Sequence, residues 1–295
     1  MALDPIASLT GAAVTEAGEK TWFANMRAWL ARLGGDTLAA PAAMGKAICG
    51  LTYANGTDAV NDVNINIGGA ADATGLYFMN LVAALGKQSD VAWAVGGTTG
   101  VPAGGLDTGV VGNNDYYIWL IARSDTGIVD ALFSLSSTAP TMPASYDFKR
   151  LIGWFKRVGG TIVAFHTYET EGGGLEMIWD SPTLDVNLTS TLTTTRRTDA
   201  PKVPLNISVT AHVNAMIQHS VAGKFAWIYC PDQTDLAPSG SAAPLANLCT
   251  PASNIHAVEQ MKIRTSSAGL IAARADVATM DVYRISTMGF TWSRR

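Results

Sequence analysis

The sequence is short of charge, of cysteine and of long apolar runs, and each shortage removes a class of function. Charged residues make up 15% of the 295-residue chain, against about 25% in an average soluble domain. Its surface must therefore be wetted by Ser, Thr, Asn and Gly more than by ion pairs. The formal net charge is −4 and no dense run of Lys or Arg occurs. The nearest basic features, Arg196–Arg197 and Arg294–Arg295, read as solvated strand ends. Without a basic footprint to neutralise phosphates, no nucleic-acid partner is expected. No stretch of about 18 apolar residues is present, so no membrane insertion is expected either. The start, Met1-Ala-Leu-Asp-Pro5, lacks the basic and apolar parts of a secretory signal, and synthesis in the cytoplasm is the expectation.

Chemistry-bearing motifs are scarce too. Cys49, Cys230 and Cys249 have no zinc-ligand spacing and are too few for a disulfide framework, which predicts buried free thiols. His166, His212, His219 and His256 are scattered, and no pair has the helical i, i+4 spacing of a zinc hydrolase. Met44-Gly45-Lys46-Ala47 lacks the upstream Gly and following Ser or Thr of a phosphate loop, and no Gly-x-Ser-x-Gly elbow occurs. Asp-Thr-Gly occurs twice, at Asp107 and Asp125. Paired turns of this kind can carry two carboxylates that share a proton, but these two read as ordinary turns. No catalytic residue, cofactor or metal is therefore expected. A glycosidase needs only two carboxylates that the fold brings together, so composition does not exclude one. Trp93, Trp119, Trp154 and Trp179 lie in or beside expected strands, where they either fill the core or stack on sugars.

The pattern is mainly β. One segment reads as a short N-terminal helix, about 15–33: Thr15 as N-cap, Glu16 and Glu19 in the first turn, Gly34-Gly35 as the stop. Its apolar stripe of Trp22, Phe23, Met26, Trp29, Leu30 and Leu33 has coiled-coil spacing for under two heptads, and these six residues are the candidate oligomer or docking interface. From about residue 45 the period changes to strands and turns. Two hairpins are predicted, 116–123 with 128–134 across Ser124-Asp-Thr-Gly127, and 151–158 with 161–168 across Gly159-Gly160. Further strands are expected near 184–195, 205–219, 224–230, 255–265 and 277–285, with a loop rich in Pro, Ser and Ala over 231–251. The expected fold is an antiparallel β-sandwich or jelly roll. Its divisions are a 1–44 docking segment, a 45–183 β-domain and a 184–295 β-domain, or one continuous sandwich over both.

Several strings are distinctive when read together: Gly50-Leu-Thr-Tyr-Ala-Asn-Gly-Thr-Asp58, Asn61-Asp-Val-Asn-Ile65, Lys87-Gln-Ser-Asp90 with Trp93-Ala-Val-Gly96, and Gly105-Leu-Asp-Thr-Gly109. They continue through Trp119-Leu-Ile-Ala-Arg-Ser-Asp-Thr-Gly127, Val129-Asp-Ala-Leu-Phe-Ser134, Pro140-Thr-Met-Pro143 and Lys149-Arg-Leu-Ile-Gly153. This run resembles a region of tail-fibre and other virion structural proteins of tailed bacteriophages, over residues 45–160, about 40% of the chain. The resemblance implies a non-enzymatic virion component in a tail fibre, spike or adaptor. It also implies a homotrimer that docks on other virion proteins and contacts a host surface glycan. A phage protein that binds or degrades polysaccharide is the alternative. The resemblance supplies no catalytic residues.

Overall fold

The computed structural model describes residues 47–294, so the expected 15–33 helix and its stripe of Trp22, Phe23, Met26, Trp29, Leu30 and Leu33 lie outside the described residues. The described chain is mainly β, built from antiparallel and mixed sheets.

The first half carries β1 (Ile48–Gly50), β2 (Tyr53–Asn55), β3 (Asp62–Ile65), β4 (Gly68–Ala71), β5 (Phe78–Leu81) and β6 (Leu85–Ala92). It continues with β7 (Ala103–Leu106), β8 (Asp115–Ala122), β9 (Val129–Ser134), β10 (Phe148–Val158) and β11 (Thr161–Ile162). Strands β1, β4 and β5 make a small sheet, and the other eight form one sheet in the order β11-β10-β8-β9-β7-β6-β3-β2. The β8–β9 hairpin forms as its turn chemistry predicts, with Gly127 at positive φ. Every residue of β8 from Tyr116 to Ala122 is buried, because this central strand is covered on both faces and needs no polar alternation. Here the expectation of antiparallel strands alone is corrected: β7 runs parallel to both β6 and β9. Its sequence, Ala-Gly-Gly-Leu, has too little β-propensity to announce a strand. Gly104 is needed there, since a Cβ would come within 1.9 Å of the Ala92 carbonyl oxygen.

The second predicted hairpin forms only in part. Gly159 and Gly160 both adopt positive φ and return the chain for two residues, Thr161 and Ile162, which pair with Val158 and Arg157. The chain then leaves that sheet. The second half carries β12 (Phe165–Thr170), a 3₁₀ turn (Glu171–Gly173), β13 (Gly174–Leu192), β14 (Arg197–Asp199), β15 (Thr210–Gln218) and β16 (Phe225–Tyr229). The remaining strands are β17 (Leu248–Cys249), β18 (Ala257–Arg264), β19 (Ile271–Ala275) and β20 (Met280–Trp292). They form a five-stranded antiparallel sheet, β12-β13-β20-β15-β18, and a four-stranded one, β14-β19-β16-β17. Residue 183 lies inside β13, and the change of sheet falls at Val163–Ala164.

One hydrophobic core runs through both halves. At the junction Trp154 packs edge-on against Trp179 and Phe290, with ring centroids 5.8 and 5.7 Å apart. The Tyr53 hydroxyl donates to the Trp154 carbonyl and accepts from its N–H, each at 2.9 Å. Arg294, expected to be part of a solvated strand end, is instead buried, and its guanidinium closes the seam. It donates to carbonyls of Gly50 and Leu51 in the first half and of Gly173 and Gly174 in the second.

Candidate functional site

Alternation on the five-stranded sheet sorts its side chains. Ala211, Val213, Ala215 and Ile217 of β15 face the core, so Thr210, His212 and Asn214 face outward. On β20 the alternation breaks: Tyr283, Ile285 and Thr287 are buried, then Phe290 and Trp292. A β-bulge at Met288 accounts for the change of parity, because the register steps from Val213↔Thr287 to His212↔Gly289. The bulge turns Thr291 outward beside His212.

Register then aligns a polar row across four strands. Glu176 lies opposite Thr291, Thr291 opposite Thr210, and Thr210 opposite Arg264. In the next row Gly289 separates Ile178 from His212. A Cβ at Gly289 would come within 2.0 Å of the Met177 carbonyl oxygen, so only glycine fits. With no side chain there, the imidazole of His212 reaches across β20 towards β13. Its Nδ1 lies 3.5 Å from Glu176 Oε1 and its Nε2 lies 2.8 Å from Thr291 Oγ1. These partners select the neutral tautomer with the proton on Nδ1, leaving Nε2 to accept from the threonine hydroxyl. Burial and then the Lys262 ammonium push the His212 pKa below its usual value, opposed by the Glu176 carboxylate. The ring is therefore neutral near pH 7.

Thr291 also lines a cleft of about 490 Å³ at the end of this sheet, within the ordinary range for small-ligand sites. The 3₁₀ turn forms one wall, with Gly172 and Gly173 at positive φ. Five hydroxyl side chains line the cleft: Thr170, Ser208, Thr210, Thr291 and Ser293. Glu171 and Arg264 are exposed at its rim, and neither forms an ion pair among the described residues.

Other candidates are placed elsewhere. Asp107 follows β7 beside Phe133, whereas Asp125 lies in the turn preceding Val129. Four strand residues, about 13 Å at the usual rise, separate those ends of β9, so no shared proton is available. Asp125 is instead paired with Arg123 at 2.6 Å. Trp119, Trp154 and Trp179 are buried and unavailable to a sugar, and half-buried Trp93 donates to the Ala131 carbonyl. Among the described residues no group of three or more His, Cys, Asp or Glu side chains is placed to hold a metal ion. The cysteines are free, but Cys49 and Cys249 are exposed and Cys230 is half-buried. Their expected burial is corrected because β1 and β17 are short edge strands with outward positions open to solvent.

A buried ion pair, Lys87 with Asp130 at 2.7 Å, is sealed in the eight-stranded sheet. Lys87 also donates to the Ala94 carbonyl, and Asp130 accepts from the N–H groups of Gly96 and Ala131. Closed to solvent, the pair fixes the loop after β6 and offers nothing to a ligand.

Sequence reading missed Glu176, His212 and Thr291 because they come from three strands, with His212 and Thr291 79 positions apart. Their meeting depends on one bulge and one glycine. The available signal was the alternating Thr210-Ala-His-Val-Asn214 run, which marks His212 as facing away from the core.

No family model matches the chain, and no curated protein matches it. Among solved structures it is similar to the crystal structure of a Bacillus thuringiensis Cry1Da tryptic core variant, at 10% identity. That match covers 82% of this chain and 51% of the other, so the chain spans about half the other's length. The TM-score is 0.19, and the likeness carries no argument about fold or function.

Proposed function

We propose that the chain is a structural component of a bacteriophage virion, of tail-fibre, spike or adaptor type, whose second half binds a host surface polysaccharide. The carrying observation is the cleft beside the 3₁₀ turn, where five hydroxyls meet a guanidinium and a carboxylate that have no ion-pair partner among the described residues. Hydroxyls that donate and accept suit a polyhydroxylated ligand, and Arg264 suits an acidic group on it. Few charges and many Ser, Thr and Gly suit a surface built for exposure. The virion assignment draws on the resemblance over residues 45–160. The apolar stripe at Trp22, Phe23, Met26, Trp29, Leu30 and Leu33 supports an oligomer docked on other virion proteins, and the resemblance to fibre proteins makes that oligomer a homotrimer. The finer reading of the second half is a jelly-roll-like sandwich, supported by Val213 and Ile285 sharing one core with Ile228 and Ala273 of the four-stranded sheet.

The test is an array of bacterial surface polysaccharides probed with the protein and with Arg264→Ala. Removing a charged hydrogen bond costs about 1.5–3 kcal/mol, so affinity for the bound glycan should fall about tenfold or more. Unchanged affinity in the variant, or no glycan bound by the parent protein, contradicts the proposal. Cryo-electron microscopy of the particle tests location and threefold symmetry independently.

A further inference from the structure

We propose that Thr291 is an acylatable nucleophile, with His212 as its general base and Glu176 as the group that orients the imidazole. The cleft would then hydrolyse small O-acyl esters carried on hydroxylated, acidic saccharides. The ligand class rests on the binding role above, but the chemistry rests on geometry alone. A nucleophile within hydrogen-bond reach of a base, itself oriented by a third group, is the arrangement that activates a hydroxyl. Here the two distances are 2.8 Å for Thr291 to His212 and 3.5 Å for His212 to Glu176. The second is longer than a tight hydrogen bond, as is common before substrate excludes water.

Thr291 is half-buried and opens on the cleft, whereas His212 is covered. A substrate can therefore reach the hydroxyl without displacing the base. Thr210 lies directly opposite Thr291, where facing Cβ atoms are about 4.5–5.5 Å apart. Its hydroxyl has no hydrogen-bond partner among the described residues and is placed to donate to an oxyanion on the acyl carbon. Arg264, one strand further along the row, is placed for an acidic group on the alcohol part of the ester.

In the first step Thr291 Oγ1 bonds to the acyl carbon while its proton passes to His212 Nε2. The ester C–O bond breaks, and the departing alkoxide takes that proton to leave as the alcohol. In the second step water attacks the acyl carbon of the acyl-threonine, His212 accepts a proton from it, and the bond between the acyl carbon and Thr291 Oγ1 breaks. The hydroxyl regains its proton and a carboxylic acid departs. No redox partner is needed, and water is the co-reactant.

The experiment uses the full chain with p-nitrophenyl acetate, first by rate and then by peptide mass mapping after quenching. Expected are turnover above buffer, an acetyl group on the peptide containing Thr291, and a rate that rises with pH as His212 loses its proton. The charged groups facing His212 are Glu176 of β13, Lys262 of β18 and, one row away, Arg264. His212→Gln should slow turnover about 10²–10⁴-fold. Thr291→Val should abolish the adduct, and Thr291→Ser should retain it; unchanged circular dichroism shows that these variants fold. Turnover that ignores Thr291→Val, acetylation confined to other residues, or no turnover by the parent protein overturns the proposal. If Arg264→Ala leaves glycan affinity intact while turnover still requires Thr291, the binding role falls and this one stands. Glycan binding that survives with no Thr291-dependent turnover gives the reverse.

Discussion

Arg294 is the side chain on which the junction between the halves most depends. Its guanidinium is 2% exposed and donates to carbonyls of Gly173 at 2.9 Å, Gly50 at 3.0 Å and Leu51 at 3.2 Å, with longer contacts to Gly174 and Ile152. Among the described residues no carboxylate bonds to it directly, so the cation is held by backbone acceptors from three separate segments. Truncation in Arg294→Ala would orphan the three close acceptors at about 1–3 kcal/mol each. Part of that loss is offset because a guanidinium no longer has to be dehydrated. The expected net destabilisation is about 3–5 kcal/mol, the size seen when one partner of a buried charged contact is removed, and a large share of the roughly 5–15 kcal/mol that holds a domain folded. Arg294→Lys should recover little, since three donors on one nitrogen cannot replace a planar fork. Urea unfolding followed by tryptophan fluorescence reads this well, because Trp154 and Trp179 sit at the seam. The midpoint should fall in Arg294→Ala; a second transition would show the halves unfolding separately. A loss below about 1 kcal/mol would refute the idea that this side chain fastens the halves together.

Three further outcomes are expected. Lys87→Met and Asp130→Leu should each cost about 3–5 kcal/mol because each leaves a buried charge without its partner, while the double variant should recover most of the loss; additive losses in a double-mutant cycle would count against this. Gly289→Ala should destabilise by about 1–3 kcal/mol, since its Cβ meets the Met177 carbonyl oxygen at 2.0 Å, and should shift the His212 ring resonances in an NMR spectrum. The pKa of His212 is depressed in the folded state, so below the unfolded value of about 6.5 the unfolded chain binds a proton that the folded chain does not. Stability from this group is therefore present above that pH and lost as pH falls towards the folded pKa. His212→Gln should flatten that slope in pH-dependent urea melts, and an unchanged slope would assign it elsewhere.

Strands were legible where local chemistry was strong. The β8–β9 hairpin follows from β-favouring runs on either side of a turn ending in Gly127, and Gly159-Gly160 marks the next reversal. Weak local signals hid the rest. Gly68–Ala71 and Ala103–Leu106 are strands of small residues, and their pairing is set by partners elsewhere in the chain. Nothing local says that after Ile162 the chain crosses to another sheet, since Phe165–Thr170 would suit either. The cleft was least legible because the Met288 bulge reverses inward and outward positions partway along β20. Reading Tyr283, Ile285 and Thr287 as core extrapolates Thr291 into the core as well, whereas it faces the cleft.

The most direct test of the cleft as the binding site is a crystal structure with a glycan identified on the array. The ligand is expected beside the 3₁₀ turn, with hydroxyls bonded to Thr210 and Thr291 and its acidic group on Arg264. A saccharide bound elsewhere, for example against the half-buried Trp227 of the four-stranded sheet, with the cleft holding only water, would contradict it.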